Sequence, residues 1–415
     1  VTGFDGELYL RLFGERTLLS GENQHSFNDP LVEQARALTT VGAVGAAAAQ
    51  RVVTDYARAR ALRGQGGQAY FGPLPTTVPP PRRIVSCRHV IKTSPGDLEL
   101  RYAVLSQAET RLAITFRSSA QIPPGTLRRP SPMPVGITTT PAITVTDDRG
   151  TTVTSSAFSG GGSTLEWRGF LTLQPALAPD TAWIELYGER VELGAGLGDR
   201  AITIEAFPET DRAERYLVQC LTSIGHRPHA RSLSDALEAL TAAGLIDPAD
   251  PEIATILAID LAVNRFGGGY VLTPTQVAEP WASLLTRRGN TGGPVGCLFV
   301  GAVTPVFDRV SAALLDLTSA DDGFQCDFEL VGPIELGMAG SSTLDGVLVT
   351  FSALDDCGNF YLGQLGNWSG GGGTASGVLE FWPALDPKAA QLDLVLTTDR
   401  ARAVITVPLT WDAAR

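Results

Sequence analysis

Thr146-Asp147-Asp148-Arg149-Gly150 opens a phrase that the chain writes twice. A glycine run follows (Gly160 to Gly162), then Gly169-Phe-Leu-Thr-Leu-Gln-Pro175-Ala-Leu-Ala-Pro179. The second writing is Leu354-Asp355-Asp356-Cys357-Gly358, a glycine run from Gly370 to Gly373, then Gly377-Val-Leu-Glu-Phe-Trp-Pro383-Ala-Leu-Asp-Pro387. The separation from Asp147 to Asp355 equals that from Pro175 to Pro383, so the register does not slip between the two features. Two copies held in step predict an internal duplication.

The text around both copies is strand-like. Leu98-Glu-Leu-Arg-Tyr-Ala-Val-Leu, Thr110-Arg-Leu-Ala-Ile-Thr-Phe and Ile143-Thr-Val-Thr alternate apolar and polar residues. Turn signals separate them at Ser94-Pro-Gly, Pro123-Pro-Gly and Asp147-Asp-Arg-Gly. Short alternating runs at this spacing predict an antiparallel sandwich over residues 83–207. A second is expected over 289–411, with Val347-Leu-Val-Thr-Phe and Leu392-Asp-Leu-Val-Leu among its strands.

The remainder divides by composition. Asp29-Pro30 is a helix start, because Asp caps the free amides and Pro at the first helical position loses no bond. An Ala-rich helical segment is expected over 21–66, then a Gly/Pro-rich linker over 67–82. Residues 208–288 read as helical, with Leu233, Leu237 and Leu240 on one apolar face and Asp250-Pro251 repeating the start signal. Gly267-Gly-Gly-Tyr270 and Thr275-Gln-Val277 echo Gly66-Gly-Gln-Ala-Tyr70 and Thr76-Thr-Val78, so the repeated unit is expected to include a helix and linker. At the N-terminus, Leu8, Leu10 and Leu12 alternate, and Leu12-Phe-Gly-Glu-Arg16 matches Leu186-Tyr-Gly-Glu-Arg190. Residues 1–20 therefore read as an N-terminal strand segment, expected to pair within the chain, the alternative being strand addition to the sheet edge of a neighbouring molecule. The fold class that follows is α+β: two tandem units, each a helical segment followed by an antiparallel β-sandwich.

The second sandwich, with its Asp355-Asp-Cys-Gly-Asn-Phe-Tyr361 hairpin and Pro-Ala-Leu-x-Pro phrase before the last strands, resembles bacterial immunoglobulin-like sandwich modules. The resemblance covers that segment and its first-half counterpart. It implies an immunoglobulin-like sandwich with a binding or spacing role, and it transfers no catalytic residue.

Composition narrows the function. The chain has 415 residues, a formal net charge of −12 and only 18% charged residues. An acidic chain lacks the electrostatic footprint for nucleic acid or anionic membrane surfaces. No apolar run reaches the length of roughly twenty residues that spans a bilayer. The start, broken by Asp5, Glu7, Arg11, Glu15 and Arg16, does not read as a signal peptide. Five cysteines, odd in number and without a CxxC, predict reduced thiols and a cytoplasmic setting.

Each chemical motif has a plainer explanation beside it. The Asp pairs at 147/148, 321/322 and 355/356 could offer oxygens to Ca²⁺, but adjacent acids before a glycine predict a hairpin turn. Cys220, His226 and His229 have zinc-like spacing, yet Pro228 lies between the histidines and no fourth ligand is near; a polar inter-helix loop is expected. The glycine runs lack the Lys-Ser/Thr and helix of a phosphate loop and predict hairpins. Cys87 and His89 lie two apart on one strand, and an activated thiolate would need an orienting third residue. Trp167, Trp183, Trp368 and Trp382 could stack on sugar rings, but they occupy non-matching positions in the two copies. The function expected is a non-enzymatic protein-interaction or scaffold protein, without cofactor, metal or catalytic site, whose protein partner and oligomeric state the sequence leaves open. The alternatives are a metal-dependent hydrolase using the helical-insert histidines, or a carbohydrate-binding module.

Overall fold

The structure is a computed structural model. It describes residues 3–20, 29–62, 83–93, 96–107, 109–118, 143–162, 166–194, 200–222, 233–264, 279–287, 291–335, 344, 346–371, 373–410 and 412–413. The predicted linker over 67–82 and its echo at 267–277 lie outside these residues.

Three helices come first: α1 (Gly6–Ser20), α2 (Pro30–Thr40) and α3 (Ala46–Leu62). Eight strands follow: β1 (Arg83–Thr93), β2 (Gly96–Leu105), β3 (Thr110–Ser118), β4 (Thr144–Asp147), β5 (Thr152–Gly162), β6 (Glu166–Leu173), β7 (Trp183–Leu186) and β8 (Glu189–Glu192). After β9 (Ile202–Ala206) come α4 (Arg212–Thr222), α5 (Leu233–Ala242), α6 (Pro251–Asn264) and α7 (Trp281–Arg287). The second run of strands is β10 (Gly296–Val303), β11 (Ser311–Ala320), β12 (Gly323–Val331), β13 (Ile334–Glu335), β14 (Val347–Leu348), β15 (Thr350–Asp355), β16 (Phe360–Gly371), β17 (Thr374–Trp382), β18 (Gln391–Thr397), β19 (Ala401–Pro408) and β20 (Asp412–Ala413).

The first sheet has the order β1-β2-β3-β6-β5-β4-β7-β8. The second reads β20-β10-β11-β12-β17-β16-β15-β18-β19-β9. Without its flanking β20 and β9, the second order is the first order over again. Both contain a Greek-key connection: β4 is separated from β3 by β5 and β6, and β15 from β12 by β16 and β17, while β13 and β14 pair apart from both sheets. The sheets are antiparallel and curled, each wrapped over its own apolar core.

Matching devices close the two curls. In the first, the Gly194 amide donates to Ser86 O (3.3 Å), and Arg83 spans to the carbonyls of Pro179, Thr181 and Gly194. In the second, β9 pairs with β19, and Arg200 just before it donates to the carbonyls of Phe299 and Val300 on β10. Residues 202–206 were expected in the first sandwich; their partner strand places them in the second sheet.

Two further sequence expectations are corrected. Residues 6–20 are a helix, not a strand. Asp5 caps it through Leu8 N (3.0 Å), and Leu10, Phe13 and Gly14 recur at helical spacing on the buried side. The match with Leu186-Tyr-Gly-Glu-Arg190 is a coincidence of letters, since Gly188 sits at φ +78° in the β7–β8 turn. Nor do the helices divide between two units. α1, α2 and α3 share one apolar cluster with α4, α5 and α6, joining Leu10, Leu31 and Val53 to Leu217, Leu240 and Ile253. The start signals hold: Asp29 caps α2 through Leu31 N, and Asp250 caps α6 through Glu252 N. Gly42, at φ +78°, ends α2 in the left-handed conformation that β-carbon-bearing residues resist.

Candidate functional site

Two settings concentrate buried polar side chains, and the first uses residues that the sequence offered for chemistry. The first setting is the repeated turn. Asp147 Oδ1 accepts from Arg149 N (3.0 Å) and Thr151 N (2.7 Å); Asp355 Oδ1 accepts from Cys357 N (3.0 Å) and Asn359 N (2.8 Å). Both carboxylates are buried. Gly150 and Gly358 have φ of +75° and +84°, and each amide donates to the Asp carbonyl at 3.0 Å. This is a three-residue hairpin loop closed by a left-handed glycine. The neighbouring acids act alike: Asp148 accepts from Ala182 N, and Asp356 from Ala390 N. Both cassette prolines, Pro175 and Pro383, follow a cis peptide bond.

The third pair, Asp321-Asp322, forms the tight turn between β11 and β12, but Gly323 is not in the left-handed region. Glycine is needed there for a different reason: a β-carbon would lie 2.6 Å from Phe381 O.

Around Asp355 the second copy adds a network. Its Oδ2 accepts from Tyr361 Oη (2.7 Å) and Asn359 Nδ2 (2.9 Å), while the Asp386 amide donates to Tyr361 Oη (3.0 Å). The Arg287 guanidinium lies 4.6 Å from the centroid of the Tyr361 ring. Burial, then the bond to Asp355, pushes the Tyr361 hydroxyl pKa up. The first copy has Val153 and Thr151 at the positions of Tyr361 and Asn359.

The second setting lies between the sheets. Tyr102, Val104 and Ala113 of the first pack on Ala313 and Leu315 of the second. β2 is bulged between Leu100 and Tyr102, and β11 between Leu314 and Leu317. A bulge re-aims side chains locally, and these two point Arg101 and Asp316 at each other across 3.3 Å. Arg101 also pairs with Asp327, to which Tyr102 Oη donates. Arg111 on β3 reaches Glu329 Oε2 (2.7 Å) and Ser376 Oγ (3.3 Å).

The carboxylates that meet these arginines across the contact come from the second sheet and both arginines from the first, where Glu109 also pairs with Arg111 at 3.4 Å. Burial works against the Arg101 cation, but Asp327, Tyr102 and Asp316 together outweigh it and raise its pKa. Burial drives Glu329 up to about 7, with Arg111 pulling the other way. Nothing in the sequence marked these residues, because Glu99, Arg101 and Arg111 alternate with apolar neighbours as a solvated face would.

The remaining sequence candidates separate. Cys220 is buried in α4 within the helical cluster, and His226 and His229 lie outside the described residues. Among the described residues no three His, Cys, Asp or Glu side chains are grouped to hold a metal. Cys87 packs beside the first core, and burial, with Asp316 nearby, pushes its thiol up to about 12, the reverse of activation. His89 Nε2 instead meets Glu189 Oε2 at 2.9 Å. Gly160 to Gly162 end β5, and Gly370 and Gly371 end β16, so both runs belong to hairpins with strands on either side. Trp368 packs against the second core, Trp183 lies under Arg190, and Trp167 and Trp382 are on β6 and β17. All five cysteines are free thiols.

Comparison with known proteins adds little. No family model and no curated protein matches the chain. A crystal structure of a conserved domain protein from Bacillus anthracis is similar over 79% of this chain and 92% of its own, at 7% identity and a TM-score of 0.20. No helix among the described residues is long and apolar enough to cross a membrane.

Proposed function

We propose that this chain is a non-enzymatic interaction or scaffold protein built by duplication of an eight-stranded sheet. The observation that carries the reading is the doubled strand order, with the Asp turn, the left-handed glycine and the cassette proline at matching places in both copies. A finer reading, immunoglobulin-like modules, is supported by the antiparallel Greek-key order. Residues suited to chemistry are occupied by structure: Asp147 and Asp355 hold turns, His89 meets Glu189, and the Cys87 thiol is driven away from ionisation. The five free thiols favour a reducing, cytoplasmic setting, and the net charge of −12 favours a protein partner over nucleic acid. The hydrolase and carbohydrate readings gain no specific observation.

Affinity capture with the purified chain from its native host, followed by calorimetry with the recovered protein, tests the reading. Saturable binding at fixed stoichiometry is expected. Turnover of an ester, phosphoester, peptide or glycoside by the purified chain, abolished by His226→Ala together with loss of stoichiometric zinc, would overturn it.

A further inference from the structure

The outward face of α1 carries exposed leucines that no described residue covers. Leu8, Leu12 and Leu19 are 52%, 57% and 79% exposed. With Glu15 they are spaced four, three and four residues apart, the alternation of a coiled-coil seam rather than of scattered surface residues. The opposite side is fully used: Leu10 and Phe13 enter the helical core, and Gly14 packs against Leu31 and Tyr56. α3 runs beside α1 in the same sense, with Gly6 against Val44 and Gly14 against Tyr56 further along. Leu62, at the end of α3, is also exposed, at 85%.

We propose that this face binds α1 of a second copy of the chain, antiparallel, about a two-fold axis passing between Phe13 and Gly14. The charges select the occupant and its direction. Glu15 lies in the seam and has no ion pair among the described residues. At about 1.5 Å of rise per residue, the antiparallel arrangement sets Leu8 level with Leu19 of the second copy. It also brings Arg11 of the second copy within one residue's rise of Glu15, and symmetry repeats the pair. Parallel pairing would set Glu15 against Glu15, a like-charge contact that costs stability. Arg11 can turn to this partner without stranding Glu7, which keeps Arg51 at 3.4 Å. A seam of this length, about 22 Å, falls short of the ~1,200 Å² typical of stable complexes. The dimer is thus weak and reversible. It needs no outside partner and stands apart from the proposed function.

Sedimentation velocity of the full chain over a wide concentration series tests it. The wild type should pass from monomer to dimer as concentration rises. Leu12→Glu should weaken the dimer about tenfold or more while far-ultraviolet circular dichroism and melting stay unchanged. Arg11→Glu and Glu15→Arg should each weaken it, and the double variant should restore it. A wild type that stays monomeric throughout, or a dimer indifferent to Leu12→Glu and to both charge reversals, overturns the proposal.

Discussion

The two curled sheets share a strand order and differ in what they bury. The first holds its Asp147 turn with backbone amides; the second ties Asp355 to Tyr361, Asn359 and, through Tyr361, the Asp386 backbone. At their contact the first contributes Arg101 and Arg111, and the second Asp316, Asp327 and Glu329. The difference teaches how a repeated backbone acquires direction. Matching bulges would let either sheet face a copy of itself, but two arginine faces or two acidic faces would leave like charges buried. Only the mixed pair sets opposite charges together.

The largest expected effect is at that contact. Arg101→Met strands the Asp316 and Asp327 carboxylates away from water. Breaking one side of a buried pair costs about 3–5 kcal/mol, which urea denaturation should register. A loss below about 1 kcal/mol would mean that the cluster is wetter and less decisive than its burial suggests.

Next comes the pH dependence of Glu329. Its folded pKa of about 7 lies above the ordinary glutamate range, so between these values the folded state holds the proton that the unfolded state has released. Stability from this group is therefore greatest at acidic pH and is lost as pH rises toward and through 7, by roughly 3 kcal/mol over the full span. Glu329→Gln should flatten this fall. Melting curves between about pH 5 and 8 measure it; an unchanged slope would place the titration elsewhere.

The two turns provide a smaller contrast. Asp147→Ala should cost about 1–2 kcal/mol, and Asp355→Ala about 1 kcal/mol more, because Tyr361 and Asn359 also lose an acceptor. Equal losses would show that the added network contributes nothing net. Smallest of all is Cys357, the exposed thiol at the tip of its turn. It should react with a thiol reagent ahead of the other four, and its alkylation should leave melting unchanged.

Local chemistry made the turns readable in the sequence. Asp147 and Gly150 interact with backbone a few residues away, so their letters carry their geometry, and the same holds for Asp29 before Pro30. α1 is hard to read because Leu8, Leu10 and Leu12 alternate as a strand would, whereas the helix buries Leu10 and turns Leu8 and Leu12 outward. Phe13, Gly14 and the Glu7–Arg11 pair, at 2.7 Å, were the helical evidence. The charged contact was illegible for another reason. Arg101 and Asp327 are 226 positions apart, and no local period distinguishes a charge facing water from one facing a second sheet. The merging of the two helical segments is hidden in the same way: Leu31 and Leu240 share one core across the whole of the first sheet's sequence.

The strand β9 has a consequence for biogenesis. It is synthesised between the first sheet and the later helices, yet it belongs to the edge beside β19. When β19 leaves the ribosome, its outer neighbour has long been made and tethered nearby. A fragment begun at α4 would emerge without that neighbour, leaving the backbone amides and carbonyls of β19 open to any strand that passes. Gene dissection of this protein should therefore cut ahead of Arg200, so that both the strand and the arginine that fastens it to β10 travel with the second sheet.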